Sequence, residues 1–357
     1  MIRKLLKLVL SLTLALLLAV FGYLTYVVIA YYRIEDNLAL AVTNNSTGAI
    51  ETNTTLTILS FNTGFGAYSE DYSFFMDGGE HSRAYSKDEA IKNVNGMIKT
   101  IESINPNLLL LQEVDIDATR SYHVNQANMY TEYFATKSHT FALNYDSPYL
   151  FYPFLKPHGK SKAGLLTMAN YKIDSSIRFS LPIEKGIMKF VDLDRCYIKS
   201  IIKTDDGNEL VLYNLHLSAY SSDGSIATEQ LKVLFEDMKT EYSNGKYIIA
   251  GGDFNKDLLG NSGDVFGVSG EDYSWAKPFP NEIIPEGFKL VSGFNAENPV
   301  ASCRDTGAPY EKGKTFEITL DGFLVSSNVT VSSYEVIDAG FKNSDHNPVK
   351  MTFSLIR

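Results

Sequence analysis

Apolar and polar positions divide the chain into three regimes. From Leu8 to Tyr32 there are 25 residues without a charge, longer than the roughly 20 that a helix needs to cross a bilayer. Residues 33–55, which include "AVTNNSTGAIETNTT", are small, polar and aperiodic and predict a linker. From residue 56 to 357, apolar runs of strand length alternate with segments of helical period. "LTILSFN" (Leu56–Asn62) and "LLLLQEVD" read as strands. Between them Ile91, Val94, Ile98 and Ile101 fall at helical spacing, and Asn105 with Pro106 stops that helix. "LVLYNLHLSAY", "KYIIAGGDFN", "FEITLDGFLVSS" and a last short strand from Pro348 follow, with one further helix carrying Leu231, Leu234, Phe235 and Met238. Many apolar runs with few helices between them predict an α/β fold of two sheets packed face to face, helices outside, in one domain.

The flanks of the first regime orient it. Arg3, Lys4 and Lys7 precede the apolar run and Glu35 and Asp36 follow it, so residues 1–7 are expected in the cytoplasm, residues 8–32 in the membrane and the bulk of the chain outside. A cleaved signal peptide is the competing reading, with "ALA" at Ala39–Ala41 as its processing site, but the run is long for such a segment. Composition adds little: at 357 residues and 45% hydrophobic, the chain can bury a large core. Its two cysteines, Cys196 and Cys303, lack metal-ligand spacing and form either one disulfide or two buried thiols.

Polar side chains interrupt the apolar runs at their ends: Asn62 after the first, Gln112 and Glu113 at the end of the second, His216 in "NLHL", Asp253 and Asn255 in "GGDFN", Asp321 in "TLDGFL", and Asp345 with His346 in "SDHNP". Burying such groups is costly unless they are paired, hydrogen-bonded or metal-bound. Asp253 and Asn255, at i and i+2, share a side of an extended chain, and Gly251 and Gly252 before them let the backbone turn.

The motifs "LSFN", "LLQEVD", "NLHL", "GGDFN", "LDGFLVS" and "SDHNP", in this order over about Leu56–Phe353, resemble the endonuclease/exonuclease/phosphatase superfamily. That group includes pancreatic-type deoxyribonucleases, abasic-site endonucleases, neutral sphingomyelinases and inositol-polyphosphate 5-phosphatases. The resemblance implies a four-layered α/β sandwich of two mixed sheets flanked by helices, and a phosphoester hydrolase using Mg²⁺ or Mn²⁺. It implies Glu113 as main metal ligand, with Asn62 holding it or the metal's water and Asp345 contributing from the other side. It further implies Asp253 orienting or deprotonating the attacking water, Asn255 bonding a phosphoryl oxygen, His346 steered by Asp321, and His216 donating to another oxygen.

Departures narrow the branch. Gly64 stands where abasic-site endonucleases carry an acid, and His216 where they lack a histidine, which leans toward the sphingomyelinase, phosphatase and deoxyribonuclease branches; Asn170 takes the place of a usual serine. The aromatic insertion "TGFGAYSEDYSFFMDGGEHSRAYS" after Asn62 either overhangs the cleft or packs as a surface loop, and "YSWAKPFP", with Trp275, either grips substrate or caps a sheet. Arg195 and Arg304 are candidates for substrate phosphate. The net charge of −10, or −13 without the three leading cations, and the lack of a basic run disfavour nucleic acid. A small or lipid-borne phosphoester, including an envelope component, is the expected substrate; an extracytoplasmic nuclease and an inactive binding module of the same fold are the alternatives.

Overall fold

A computed structural model of the chain describes residues 2–186, 188–190, 192–219, 225–271, 273 and 275–356, the side chain of Met188 excepted. The chain opens with α1 (Ile2–Ala30), which takes in the basic residues as well as the apolar run. Two short strands, β1 (Leu38–Ala39) and β2 (Val42–Thr43), lead to β3 (Leu56–Asn62), α2 (Lys87–Ile104), β4 (Leu108–Ala118) and α3 (Gln126–Tyr133). Next come β5 (Ser138–Asp146), β6 (Ser161–Ala169), β7 (Ser175–Ser180), β8 (Cys196–Lys203) and β9 (Glu209–His216). After α4 (Ser225–Ser243) run β10 (Tyr247–Asp253), the short α5 (Ser262–Phe266) and β11 (Phe288–Val291). The chain closes with β12 (Cys303–Arg304), β13 (Glu317–Ile318), β14 (Asp321–Ser326), β15 (Val329–Val336) and β16 (Val349–Leu355).

Two seven-stranded mixed sheets result, ordered β15-β16-β3-β4-β6-β5-β2 and β1-β7-β8-β9-β10-β14-β11. The four leucines of β4 show why they stack. Alternate residues of a strand face opposite ways, so Leu108 and Leu110 meet Leu212, Ile249 and Phe323 of the other sheet. Leu109 and Leu111 instead meet Val94, Ile98 and Ile101 of α2. The second sheet repeats the scheme outward, with Val211, Ile248 and Ala250 against Leu231, Leu234 and Phe235 of α4. Each such buried side chain contributes roughly 1.5–3 kcal/mol relative to exposure, so a strand apolar on both faces belongs in the middle of the expected four layers. Helix α2 starts where Ser86 Oγ accepts from Glu89 N at 3.1 Å and stops at Asn105, whose φ is 49°.

Helix α1 is long and apolar enough to cross a membrane. The segment after it is not the free linker its composition predicts. β1 pairs with β7 and β2 with β5, one on each sheet. Ile50 is fully buried between the sheets, and its N–H donates to Lys203 O at 2.9 Å. Small polar residues satisfy their neighbours along the way: Asn44 Nδ2 donates to Ile173 O at 3.0 Å, and Thr52 Oγ1 to Asp205 Oδ1 at 2.8 Å. A segment this short shows no period because it crosses two sheet edges in two-residue steps. Of the cysteine alternatives, the disulfide does not form: Cys196 and Cys303 are both free, buried thiols in separate clusters.

Ile50 tests the docking. Ile50→Ala is expected to destabilise the domain by about 2–5 kcal/mol, read as a lowered midpoint in denaturant unfolding; a freely hanging linker would leave that midpoint unchanged.

Candidate active site

Strand register gathers the polar interruptions. β9 and β10 run parallel with Asp253 opposite His216, and β14 runs antiparallel to β10 with Asp321 opposite Asp253. In the other sheet β3 and β4 run parallel with Asn62 opposite Gln112. Asp345 and His346 arrive on the turn before β16, the antiparallel partner of β3. Each polar residue extends the inter-sheet series of its own strand: Ile58, Ser60, Asn62; Leu210, Leu212, Asn214, His216; Ile249, Gly251, Asp253. Gly252 lets β10 lie close at this point, since with φ 152° a Cβ there would fall 1.9 Å from Leu215 O.

Asp253 is the centre. Asn62 Nδ2 donates to its Oδ2 at 3.0 Å and Asn255 N to its Oδ1 at 2.8 Å. His216 Nε2 lies 3.5 Å and His346 Nε2 3.8 Å from the same Oδ2. His346 Nδ1 lies 2.7 Å from Asp321 Oδ2, which also accepts from Ser302 Oγ at 2.8 Å. Burial raises the Asp253 carboxyl, with His346 opposing. Burial works against the His346 imidazolium, but Asp321 and Cys303 beside it raise its pKa well above the usual value. His216, buried and near Arg195, is lowered and stays neutral. Asn255 does not continue the strand as its spacing predicts: its φ is 48°, and one amide hydrogen goes to Leu217 O at 2.8 Å. The other remains to donate into the cavity.

Glu113 departs from expectation in an informative way. β4 does not end there but runs on to Ala118, with a bulge between Leu111 and Val114. By simple alternation Glu113 belongs with Leu109 and Leu111, facing α2. At φ 55° the bulge turns it to the cavity instead. Asn62 Nδ2 also reaches Glu113 Oε1 at 3.3 Å, while Asn62 Oδ1 accepts from Gly64 N at 3.1 Å. Gly64 leaves room for Asp345: a Cβ at its φ of 48° would stand 2.7 Å from Asp345 Oδ1. Gln112, by contrast, is a sheet-to-sheet tie, donating to Asn214 Oδ1 at 2.8 Å.

Glu113, His216, Asp253, Asn255, Asp345 and His346 line one cavity of about 150 Å³, together with Phe65, Tyr68 and Phe74 of the insertion and Trp275, while Asn62 and Asp321 support them from behind. Both readings of the insertion therefore hold, since its rings also pack on one another beneath α2. Trp275 lines the cavity and also packs on Phe316, meeting it edge-on at 6.0 Å. Arg195 and Arg304 are not surface residues; both are buried. Arg304 braces the insertion: Nη2 donates to Ser69 O at 2.8 Å and Tyr72 O at 3.2 Å, and Nη1 to Asp305 O at 2.9 Å. Arg195 is different, because its Nε and Nη1 are buried without a partner among the described residues. Sequence reading missed a third cavity arginine, Arg120. It pairs with buried Asp115 at 2.8 Å and lies 4.0 Å from the Phe65 ring centre. Only its place five residues after a buried acid could have singled it out. Asn170 follows the far end of β6, whose Ala169 stands opposite Leu108, and its amide oxygen accepts from Lys137 Nζ away from the cavity.

The donor set fits a hard cation. Glu113 and Asp345 are half-buried carboxylates on one cavity, and neither forms an ion pair with a Lys or Arg among the described residues. Burial pushes the Asp345 carboxyl up to about 6, with His346 opposing and Glu113 adding to the rise; a bound cation would relieve this. The tightest groupings of ligand atoms centre on His346, with Cys303 and Asp345 or with Asp253 and Asp321. They suit a cation less, because Asp321 occupies Nδ1 and burial pushes the Cys303 thiol up to about 12. Oxygen ligands remain, as Mg²⁺ or Mn²⁺ prefers.

The model of the "Endonuclease/Exonuclease/phosphatase family" matches residues 59–346. The chain belongs to this family. Its fold agrees with an endonuclease/exonuclease/phosphatase from Beutenbergia cavernae, at a TM-score of 0.57 and 14% identity over 85% of this chain and 72% of that one. ANGEL2, a 2′,3′-cyclic phosphatase solved with adenosine-2′,3′-vanadate, gives 0.56 and 15% over 88% and 98%. The human Nocturnin catalytic domain with bound sulfate gives 0.53 and 13% over 88% and 97%. No curated protein matches the chain by sequence.

Arg120 generates a stability test. Arg120→Ala strands a buried carboxylate and is expected to cost about 3–5 kcal/mol. Asp115→Asn combined with Arg120→Met leaves no lone charge and recovers most of that loss in the same denaturant assay.

Proposed function

We propose that the protein is a membrane-anchored, divalent-metal-dependent hydrolase of a small or lipid-borne phosphomonoester or phosphodiester, acting outside the cytoplasm. The observation that carries it is the Asn62 amide, which holds Glu113 and Asp253 at 3.3 and 3.0 Å from one nitrogen. A cation-holding acid and a water-activating acid are thereby set on one cavity.

Glu113 and Asp345 hold the metal, and Asn62 positions the carboxylates from behind. Mg²⁺ or Mn²⁺, when bound, supplies charge neutralisation at the phosphoryl group and stabilises the leaving oxygen. Asp253 orients the water and takes its proton, a role that its raised affinity for protons suits. His346, kept charged by Asp321, donates from Nε2 to the phosphoryl group. His216 and Asn255 donate to its other oxygens. Arg195, with two unused donors, is the favoured contact for a substrate phosphate; Arg304 has only Nε unpartnered among the described residues and serves the insertion first.

Substrate size supports a small phosphoester. A cavity of about 150 Å³ walled by aromatic rings suits a phosphate with a modest head group rather than a duplex. ANGEL2, a 2′,3′-cyclic phosphatase of similar fold, is in keeping with phosphoester chemistry on this scaffold. Outside placement rests on Arg3, Lys4 and Lys7 before the apolar helix.

Glu113→Ala and Asp253→Asn should each lower turnover by at least about 10²-fold with the fold intact by circular dichroism, and Asp321→Asn by about 10²- to 10⁴-fold. A chelator should silence the wild type. Full turnover in Asp253→Asn, or indifference to chelation, removes the mechanism, and rapid plasmid cleavage at physiological salt without phosphate-ester cleavage points to a surface nuclease. Protease added to intact cells should digest the domain; digestion only in inside-out vesicles would reverse the orientation.

A further inference from the structure

Between β5 and β6 the loop "YLFYPFL" (Tyr149–Leu155) carries no charge. Phe154 is 83% exposed and Leu155 99%, and Phe151 and Tyr152 are exposed beside them. Contiguous apolar side chains in water mark a contact surface, unlike the scattered exposure of ordinary surfaces.

The loop's position says what it contacts. Tyr23 OH donates to Tyr149 O at 3.2 Å and accepts from Phe151 N at 3.4 Å, and Tyr149 N donates to Tyr26 OH at 3.0 Å. The rings of Tyr23 and Phe151 meet edge-on at 5.3 Å. The loop is thus fastened to the last turns of α1. At about 1.5 Å per residue, the roughly 30 Å of bilayer hydrocarbon takes about 20 residues, so a span that begins after Lys7 reaches its outer boundary near Val27. Tyr23 and Tyr26 are then the aromatic residues of that boundary, and the loop bonded to them lies at the same depth. Lys156, next after Leu155, sits where a head-group phosphate would meet it.

Behind the loop, Tyr23, Phe75, Met76, Leu150, Phe151 and Tyr152 line an apolar groove. Met76, Tyr145 and His158 line both this groove and the catalytic cavity, so the two adjoin.

We propose that Tyr149–Leu155 is a second membrane contact, and that the groove behind it receives the hydrocarbon chain of a bilayer lipid whose phosphoester reaches the catalytic cavity. The proposal rests on the membrane-anchored phosphoesterase reading and adds where the substrate comes from. The occupant is lipid because the groove starts at a membrane-boundary tyrosine of α1 and ends at Met76, Tyr145 and His158, which also line the catalytic cavity, with apolar side chains between.

The test uses the full chain in phosphatidylcholine vesicles and two chromogenic diesters, p-nitrophenyl methyl phosphate and p-nitrophenyl hexadecyl phosphate, which share one reacting group. Wild type should favour the hexadecyl ester. Phe154→Asp combined with Leu155→Asp keeps α1 in the bilayer and should lower the hexadecyl-to-methyl ratio of kcat/KM by about tenfold or more, as loss of even two buried methylenes would. An unchanged ratio overturns the proposal. Independently of turnover, a dye on Leu155→Cys should be quenched by phosphatidylcholine with brominated chains, and an unquenched dye also overturns the proposal. Quenching without cleavage of either ester supports the membrane contact while sinking the hydrolase reading.

Discussion

The face shared by the two sheets must be apolar where it is dry and turn polar only where it reaches water. Every strand-borne residue of the site except Glu113 obeys that constraint by its place in the strand. Ile58, Leu108, Leu212, Ile249 and Phe323 form the dry part of the face. One or two pairs of residues further along the same strands stand Asn62, His216, Asp253 and Asp321. Between the two regions lies a belt of neutral polar groups, Ser60, Gln112 and Asn214, which bond to one another across the sheets. The belt separates the hydrocarbon-like interior from the carboxylates, so charge is desolvated only at the rim.

Two local breaks in regular geometry complete what strand alternation begins. Alternation delivers Asp253 between His216 and Asp321 without further device, because β10 is flanked by both partner strands in register. It cannot deliver Glu113, which falls on the opposite phase from Leu110 and Gln112. A bulge with φ 55° at Glu113 supplies the missing rotation. Asn255 likewise needs φ 48° to place its N–H on Asp253. Non-glycine residues take such angles rarely and at a cost of about 1–3 kcal/mol each, and both here are residues to which the proposed mechanism gives a role.

The sequence shows the layers and the strand-end polar residues because both follow from period and from the cost of burying charge. "LLLLQEVD" announces a strand buried on both faces, and the His346–Asp321 pair lies where the motifs imply it. Geometry that has no period stayed hidden. Residues 33–55 cross two sheet edges in steps too short to alternate, so composition made them a linker. Arg304 carries nothing in its neighbours to say that its guanidinium holds the carbonyls of Ser69 and Tyr72, more than 230 positions away. Arg120 is silent for the opposite reason: its partner Asp115 is close in sequence, but only the fold makes that pair a wall of the cavity.

Net charge proves a coarse guide for the same reason. The chain carries −10 overall, yet Arg120, Arg195 and Arg304 all line the one cavity. Two of the three are spent inward, Arg120 on Asp115 and Arg304 on backbone carbonyls. That leaves Arg195, beside neutral His216, as the one of the three with two donors unpartnered among the described residues, its Nη2 lying 3.5 Å from Asp192 Oδ1. In the proposed mechanism such a guanidinium, with the two acids proposed to hold the metal, would meet one phosphate group rather than a polyanion. The segments flanking this cation lead back to the apolar helix: Arg33 donates to Asp194 Oδ1 at 2.9 Å and to Leu181 O at 2.9 Å, and Tyr31 to the same Asp194 oxygen at 3.1 Å. The end of α1 and the residues just after it therefore hold Leu181, Asp194 and the Tyr149–Leu155 loop, which ties the helix to the cavity mouth. On the proposed reading, acidic repulsion from the rest of the surface matters little to a substrate that would enter beside the helix.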